Sequence, residues 1–311
     1  MDDVFGEIEV LATEQRNPRS TRIDEMSAEE ILTLINSEDA KVADAVGKEI
    51  PHITRVVEEL VSRFKKGGRL FYVGAGTSGR MGILDAAECP PTFGTSRDLV
   101  QAIIAGGKDA VFQAQEGAED KPETGAKEIA LRGVKAGDLV IGIAASNRTP
   151  FVLGALEKSY AIGAFTVLLT ANPRECISYP FLHDTICTVV GPEVLMGSTR
   201  MKSALAQKMV LTMITTTAMV RLGKAYENMM VDLQLTNKKL EERAKRIIMV
   251  ATGCEYDRAT ELLTQSGGSV KTAIIMQFAH CSKQDAVRVL SESNGFVKQA
   301  IRNLSEPGSS Q

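Results

Sequence analysis

The sequence predicts an α/β protein: a doubly wound, mainly parallel five-stranded sheet followed by a small, all-α C-terminal domain. Through the middle of the chain, short apolar runs alternate with helical segments, which is the pattern of a parallel sheet with helices on both faces. After residue 235 the chain changes to short amphipathic helices. That part contains a repeat, because residues 259–274 and 286–301 are identical at eight of sixteen positions.

Three segments are predicted ahead of the first strand: an extended arm over 1–25, a helix over Ala28–Ile35 and a helix over 40–65. Ser27 and Glu30 have capping-box spacing, which favours a helix start at this point. The polar run 36–39 is expected to end the first helix. Pro51 is expected to kink or divide the second, because proline removes a helical hydrogen bond.

The central part of the chain provides the sheet and its helices. The predicted strands are 70–74, 99–105, 138–144, 164–170 and 184–190. The predicted helices are 78–88, 109–117, 121–132, 150–162 and 199–222. Ligands of such sheets bind outside the carboxyl ends of the strands. We therefore expect the loop after residue 74, the loop after residue 144 and the loop before residue 199 to border one crevice.

Four regions follow from this organisation. They are an N-terminal arm with helices (1–55), an α/β domain (56–235), a helical domain (236–303) and a flexible tail (304–311). Each copy of the repeat is a helix, a glycine turn and a second helix. Neither copy could bury its apolar face alone, so the two are expected to share one core.

Composition excludes several classes of function. The 36 Lys and Arg residues nearly balance the 39 Asp and Glu residues, for a net charge of −3, and no basic stripe suggests a nucleic-acid partner. Five cysteines without a CxxC pair favour a reducing compartment over disulfides or zinc. The longest apolar helix contains Lys208 and several threonines, which argues against a membrane span, and no membrane partner is expected. We expect a cytoplasmic protein.

A glycine-rich turn follows the first strand. Gly74, Gly76 and Gly79 enclose Thr77 and Ser78, and a helix beginning near Ser78 directs its free amides at a bound anion such as phosphate. The same spacing occurs in dinucleotide-binding proteins, but the acidic residue expected about 20 positions later is absent. A tight turn that binds nothing is the structural alternative.

Two further loops carry hydroxyl, amide and cationic side chains ahead of a helix. In the first, Ser146, Asn147 and Thr149 precede Pro150, with Thr149 as the predicted N-cap. In the second, Ser198 precedes a helix whose first turn contains Lys202. Cations are unfavourable at a helix N-terminus unless a negative group lies close by, so Lys202 indicates either a bound anion or a solvent-facing side chain.

Two glutamates are the candidates for chemistry. Glu88 stands at the predicted end of a helix, before Pro90-Pro91, and Glu119 lies in an acidic run before the next helix. Acidic residues at a helix start also have a structural explanation, since they complement the helix dipole. The three histidines occur in unrelated contexts, so acid–base chemistry would depend on carboxylates.

With these motifs identified, the chain resembles the N-acetylmuramic acid 6-phosphate etherase family, whose core is a sugar isomerase (SIS) domain. The similarity covers nearly the whole chain and is carried by residues 36–39, 74–91, 116–120, 144–150 and 197–202. The helical end resembles the family's ubiquitin-associated-like tail. Asn147 departs from the pattern, because glycine is expected there, and its side chain would narrow the loop or add an amide donor.

The resemblance implies a carbon–oxygen lyase that acts on a sugar phosphate without a metal or other cofactor. It implies Glu88 as the acid that protonates departing lactate and Glu119 as the base, with the two roles open to exchange. Thr77, Ser78, Ser146, Asn147, Thr149, Ser198 and Lys202 would hold the substrate. It also implies a homodimer. The alternatives are a non-catalytic sugar-phosphate-binding regulator and an aldose–ketose isomerase.

Overall fold

The computed structural model describes residues 11–235 and 237–305. The beginning of the predicted arm (1–10), the first residue of the predicted helical domain (Thr236) and the predicted tail from 306 onwards lie outside these residues. The described chain divides into two compact units. Residues 11–87 and 97–215 form the first unit, and residues 88–96 and 216–305 form the second.

A five-stranded sheet lies in the first unit. Its strands are β1 (Leu70–Gly74), β2 (Val100–Ile104), β3 (Leu139–Ile143), β4 (Phe165–Thr170) and β5 (Asp184–Cys187). They lie in the order β2-β1-β3-β4-β5, and every neighbouring pair is parallel. The predicted parallel sheet is confirmed, and each strand lies within or close to its predicted range.

The strand order reverses between β1 and β3. In the register, Gly74 at the end of β1 lies opposite Ile104 on one side and Ile143 on the other. The chain leaves β1 towards β2 on one side and returns to β3 on the other side. The loops after β1 and β3 therefore diverge from neighbouring strand ends, which is where open α/β sheets bind ligands.

Helices surround these strands in the chain order. Those that begin in the first unit are α1 (Ala28–Asp39), α2 (Val42–Lys48), α3 (Ile50–Lys65), α4 (Gly76–Phe93), α5 (Asp109–Phe112), α6 (Pro122–Leu131), α7 (Pro150–Ile162) and α8 (Lys202–Arg221). One core cluster joins β1, β3 and β4 to α7 through Phe71, Val140, Leu168 and Phe151, all of which are buried. The predicted division near Pro51 occurs at Glu49, between α2 and α3.

The predicted break over residues 36–39 is wrong, because α1 continues to Asp39. The polar side chains in this turn form hydrogen bonds and ion pairs, so the helix can continue through them. The Ser37 hydroxyl donates to the Leu34 carbonyl oxygen at 2.8 Å, and Glu38 is buried among cations. Ser27 and Glu30 form the predicted capping box at the other end.

The predicted stop at Pro90-Pro91 is also wrong, because α4 includes both prolines and ends at Phe93. Proline fixes φ in the helical range, so it is compatible with helical dihedrals, although it deprives the carbonyls four residues earlier of a donor. Gly94 ends the helix with a left-handed φ of 63°, and its amide donates to the Pro90 carbonyl oxygen at 2.9 Å.

Two other predictions differ from the structure. The predicted helix 109–117 shortens to α5, because Gln113 is extended and four residues hold few internal hydrogen bonds. Two short strands were missed: β6 (Ala225–Tyr226) and β7 (Met229–Met230) form an antiparallel pair in the second unit. Two-residue strands are too short to show a period of two in the sequence.

Five helices make up most of the second unit. They are α9 (Lys238–Thr252), α10 (Tyr256–Gln265), α11 (Val270–Ala279), α12 (Lys283–Glu292) and α13 (Val297–Ser305). The repeated segments correspond to the pairs α10–α11 and α12–α13, with left-handed glycines at Gly268 and Gly295 in the turns. Both pairs bury residues in one shared core, as the repeat predicts.

Helices α6 and α7 pack together at two glycines. A Cβ added to Gly125 would lie 1.9 Å from the Phe151 carbonyl oxygen, and one added to Gly154 would lie 2.2 Å from the Pro122 carbonyl oxygen. Both clashes are with backbone, which cannot rotate away as a side chain can. The absence of side chains at these two positions therefore sets the distance between α6 and α7.

Gly125→Ala should lower the free energy of unfolding by about 1–3 kcal/mol, because the backbone must move to accept the methyl group. Gly47→Ala is the matched control, since Gly47 also lies within a helix but an added Cβ there meets nothing within 4 Å. It should raise stability by about 0.5–1 kcal/mol. Urea unfolding of both variants measures the difference, and equal effects would contradict the packing argument.

Candidate active site

The first wall of the candidate site is the turn between β1 and α4. Gly76 begins the helix in a left-handed conformation with φ of 50°, and the Gly79 amide donates to the Ala75 carbonyl oxygen at 3.1 Å. The amides of Thr77 and Ser78 belong to the first turn, where a helix supplies no acceptor. Both side chains are half-buried. This turn therefore has amides and hydroxyls of the kind that can bind an anion.

The second wall is the loop between β3 and α7. Asn147 has a left-handed φ of 58°, which explains why glycine suits this position and why asparagine is tolerated. Its side chain is buried, and Nδ2 donates to the Cys176 carbonyl oxygen at 3.2 Å. The Tyr179 hydroxyl donates to the Asn147 carbonyl oxygen at 3.2 Å. Asn147 thus fastens its loop to residues 176–179.

Ser146 and Thr149 are half-buried on either side of Asn147. Thr149 occupies the predicted N-cap position of α7, with Pro150 after it, but its hydroxyl makes no capping hydrogen bond. The Thr149 carbonyl oxygen accepts from the Val152 amide at 3.0 Å instead. The Thr149 hydroxyl is therefore not used to begin the helix.

Glu119 lies beside this loop. The Phe151 amide, in the first turn of α7, donates to the Glu119 carbonyl oxygen at 2.8 Å. This bond satisfies one of the amides that a helix leaves free at its start. It also fixes the backbone of the half-buried Glu119 at Phe151, two residues after Thr149. The structure thus brings Glu119 together with the β3–α7 loop.

Ser198 lies on the segment between β5 and α8, and Lys202 is the first residue of α8. Ser198 is half-buried, and its carbonyl oxygen accepts from the Met201 amide at 3.3 Å. The Glu193 carboxylate accepts from the amides of Lys202 and Ser203 at 3.0 and 2.9 Å, which caps α8 and places its start at Lys202 rather than at residue 199. A negative group therefore lies close to the cation, as helix-dipole reasoning requires.

The Lys202 ammonium is buried and donates to the Glu38 carboxylate at 2.7 Å. Arg19 and Lys41 donate to the same carboxylate, each at 2.6 Å. Burial raises the pKa of Glu38, but the hydrogen bonds from Lys202, Lys41 and Arg19 outweigh it and hold the pKa at about 2. Sequence reasoning missed this cluster because its members are far apart in the chain.

Asn172 is a second buried residue that the sequence did not single out. It follows β4, and its Nδ2 donates to the Ala145 carbonyl oxygen at 2.9 Å. The same carbonyl oxygen accepts from the Thr170 hydroxyl, also at 2.9 Å. The Ala12 amide donates to Asn172 Oδ1 at 2.8 Å. Asn172 therefore connects the β3–α7 loop to the N-terminal arm.

Asp85 is a third unpredicted residue, and it lies within α4. Its buried carboxylate accepts from the Tyr72 hydroxyl at 2.8 Å and from the Thr215 hydroxyl at 3.1 Å. Burial raises its pKa above the ordinary value. Asp85 therefore joins α4 to β1 and to α8. Glu88 follows three residues later in the helix and is exposed.

Comparison with known proteins identifies the family. A family model for the N-terminal SIS domain of glucokinase regulatory protein matches residues 52–160. An N-acetylmuramic acid 6-phosphate etherase of Salinibacter ruber is 59% identical over 277 residues, which are 89% of each chain. The chain belongs to the N-acetylmuramic acid 6-phosphate etherase family. A member from Symbiobacterium thermophilum is 54% identical over 88% of this chain and 90% of its own.

A solved phosphoheptose isomerase of Neisseria gonorrhoeae is similar to 61% of this chain and to its own whole length, with 14% identity and a TM-score of 0.44. Across residues 11–235 and 237–305, no helix combines the length and the apolar character needed to cross a bilayer. In the same residues, no group of three or more His, Cys, Asp or Glu side chains could hold a metal ion.

Proposed function

We propose that the chain cleaves the D-lactyl ether of N-acetylmuramic acid 6-phosphate and releases N-acetylglucosamine 6-phosphate and D-lactate. Relatives that carry this etherase name share 59% and 54% identity with nearly the whole chain. The observation that carries the proposal is the bond from the Phe151 amide to the Glu119 carbonyl oxygen, which holds a carboxylate-bearing residue at the start of α7, next to the loop proposed to bind the phosphate. Cysteine usage supports a cytoplasmic location.

The reaction is an elimination followed by addition of water. In the open-chain sugar, the C2 proton is acidic because C2 adjoins the C1 aldehyde. A carboxylate removes that proton, the C3–oxygen bond breaks and a C2–C3 double bond forms. A protonated carboxyl group gives its proton to the departing lactate oxygen. Water then adds at C3 and a proton returns to C2. Two carboxyl groups in opposite protonation states meet these needs.

We assign Glu119 as the base at C2 and Glu88 as the acid for lactate. Thr77, Ser78, Ser146 and Thr149 are proposed to bind the sugar phosphate with hydroxyls and helix-start amides. Asn147 is proposed to support them by holding the loop, because its amide nitrogen donates to the Cys176 carbonyl oxygen.

A second candidate function is a non-catalytic sugar-phosphate regulator, favoured by the match to a regulatory protein's SIS domain. Lactate release from N-acetylmuramic acid 6-phosphate separates the two.

Ser146→Ala should weaken binding of N-acetylglucosamine 6-phosphate by about 0.5–1.5 kcal/mol, or by more if the hydroxyl donates to a charged phosphate oxygen. Calorimetric titration measures the change. Ser291→Ala is the control, because Ser291 is exposed on α12, in the second unit. Unchanged affinity in Ser146→Ala would remove this hydroxyl from the phosphate site.

Glu88→Gln should block lactate release while leaving exchange of the C2 proton with deuterated water, because the base remains. Glu119→Gln should lose both activities. Each loss is expected to be about 10²–10⁴-fold, the usual contribution of a general acid or base. Glu116→Gln, an exposed glutamate of the same acidic run, is the control. Near-normal lactate release by Glu88→Gln would exclude it as the acid.

We also propose a homodimer in which Glu88 serves the site of the neighbouring chain. Because α4 is continuous, the ten residues from Ser78 to Glu88 span about 15 Å at 1.5 Å per residue, which is longer than a hexose phosphate. A phosphate bound at the helix start would then leave its C3 far from the same chain's Glu88.

Mixing Glu88→Gln chains with Glu119→Gln chains tests this arrangement. If Glu88 acts across the dimer, random exchange should restore about a quarter of the wild-type activity, because half of the dimers are mixed and each has one complete site. Sedimentation establishes the dimer, and labelled chains establish the exchange. Exchanged dimers without activity would mean that each site uses its own Glu88.

A further inference from the structure

A second concave region lies in the first unit, beyond the edge strand β5. It is a cavity of about 480 Å³ lined by the N-terminal arm, the end of α1, helix α2, residues 189–192 and Lys202. Residues 189–192 come almost directly after β5, so the cavity opens at the carboxyl edge of the sheet. The β3–α7 loop leaves from the same edge.

The lining carries more positive than negative charge. Its cations are Arg19, Lys41, Lys48 and Lys202, and its carboxylates are Glu38 and Asp44. Four cations against two carboxylates leave a net charge of +2. A cavity with this excess attracts an anion, because partial exclusion of water strengthens the Coulomb interaction.

The Glu38 carboxylate has no lone pair left to accept a hydrogen bond from a further donor. Oε1 accepts from Arg19 and Lys41, and Oε2 accepts from Lys202 and from Asn17 Nδ2 at 3.2 Å. Four donors fill the lone-pair positions of one carboxylate. An ammonium has three N–H groups, and the described residues give the Lys202 ammonium one acceptor. Lys202 is 98% buried and lines the cavity, so an acceptor bound there can take a hydrogen bond from this ammonium.

The spacing of the strands that precede the two regions is similar to the length of the substrate of the proposed reaction. β3 and β5 lie two strands apart, which is about 10 Å at 4.8 Å per strand. Eight bonds join phosphorus to the lactyl carboxyl carbon in N-acetylmuramic acid 6-phosphate, and an extended chain of that length spans about 9–10 Å at the rise of a polypeptide backbone. One molecule can therefore place its phosphate at the β3–α7 loop and its carboxylate in the cavity.

We propose that this cavity binds the lactyl carboxylate and distinguishes the substrate from its product, which lacks that group. The proposal rests on the proposed etherase function. Lys41 and Arg19 are the residues to test, because their side chains are 54% and 47% exposed and each can be shortened without burying an unpaired charge. Lys202 and Glu38 are buried together, and changing either would disturb folding.

The experiment measures binding of two sugars to chains that carry Glu119→Gln, which prevents turnover. Adding Lys41→Gln or Arg19→Gln should weaken binding of N-acetylmuramic acid 6-phosphate about 10- to 100-fold, the range for a lost hydrogen bond to a charged group. Binding of N-acetylglucosamine 6-phosphate should change less than about twofold, because it has no carboxylate to lose. Lys66→Gln, an exposed lysine outside the cavity, should affect neither.

Equal weakening of the binding of both sugars would overturn the proposal. It would mean that the cavity binds the phosphate or that its residues only stabilise the fold. No weakening of either sugar would also overturn it. The proposed reaction is judged separately, by lactate release from the wild-type chain. Absence of lactate together with selective loss of muramic acid binding would retain the carboxylate pocket and reject the etherase function.

Discussion

The candidate site depends on the reversal of strand order between β1 and β3. Both strands are buried along their whole length and pair in register, so their carboxyl ends are held at one level. The chain departs from Gly74 and from Ile143 in opposite directions across the sheet. That divergence leaves a crevice bordered by the starts of α4 and α7. The sheet thereby positions two helix N-termini at one edge.

Loops that border a crevice cannot satisfy their backbone by regular pairing, so buried side chains must do it. Asn172 and Thr170 together donate to the Ala145 carbonyl oxygen, and Asn147 donates to the Cys176 carbonyl oxygen. The Phe151 amide finds its acceptor at Glu119. Each bond crosses between segments that follow different strands. Their combined effect is a rigid rim, which pre-organises donors for a ligand and reduces the entropy lost on binding.

The sheet could be predicted from the sequence because central strands of a parallel sheet are apolar on both faces, as in Leu70–Gly74 and Leu139–Ile143. The glycine and hydroxyl loops could be found because turn residues and helix starts are local signals. Helix ends were harder to predict from the sequence. Pro90 and Pro91 lie inside α4, and the helix ends at Gly94, which has a left-handed φ. The Glu38–Lys202 pair could not be read from the sequence, since 164 residues separate its partners.

The two regions at the sheet edge offer different groups to a negatively charged ligand, and this difference has a chemical consequence. The crevice offers hydroxyls and the positive ends of α4 and α7, each equivalent to about half an elementary charge. The cavity beyond β5 offers full cations, of which Lys202 is fixed by burial and by Glu38.

Directional hydroxyls and amides suit a phosphate, which accepts several hydrogen bonds at once. Partly exposed lysine and arginine side chains suit a carboxylate that must leave. Lactate, once cut from the sugar, keeps its charge but loses its tether, so its retention then depends on the cavity alone. In the proposed pocket, the partial exposure of Lys41 and Arg19 would weaken their interaction with lactate enough for release.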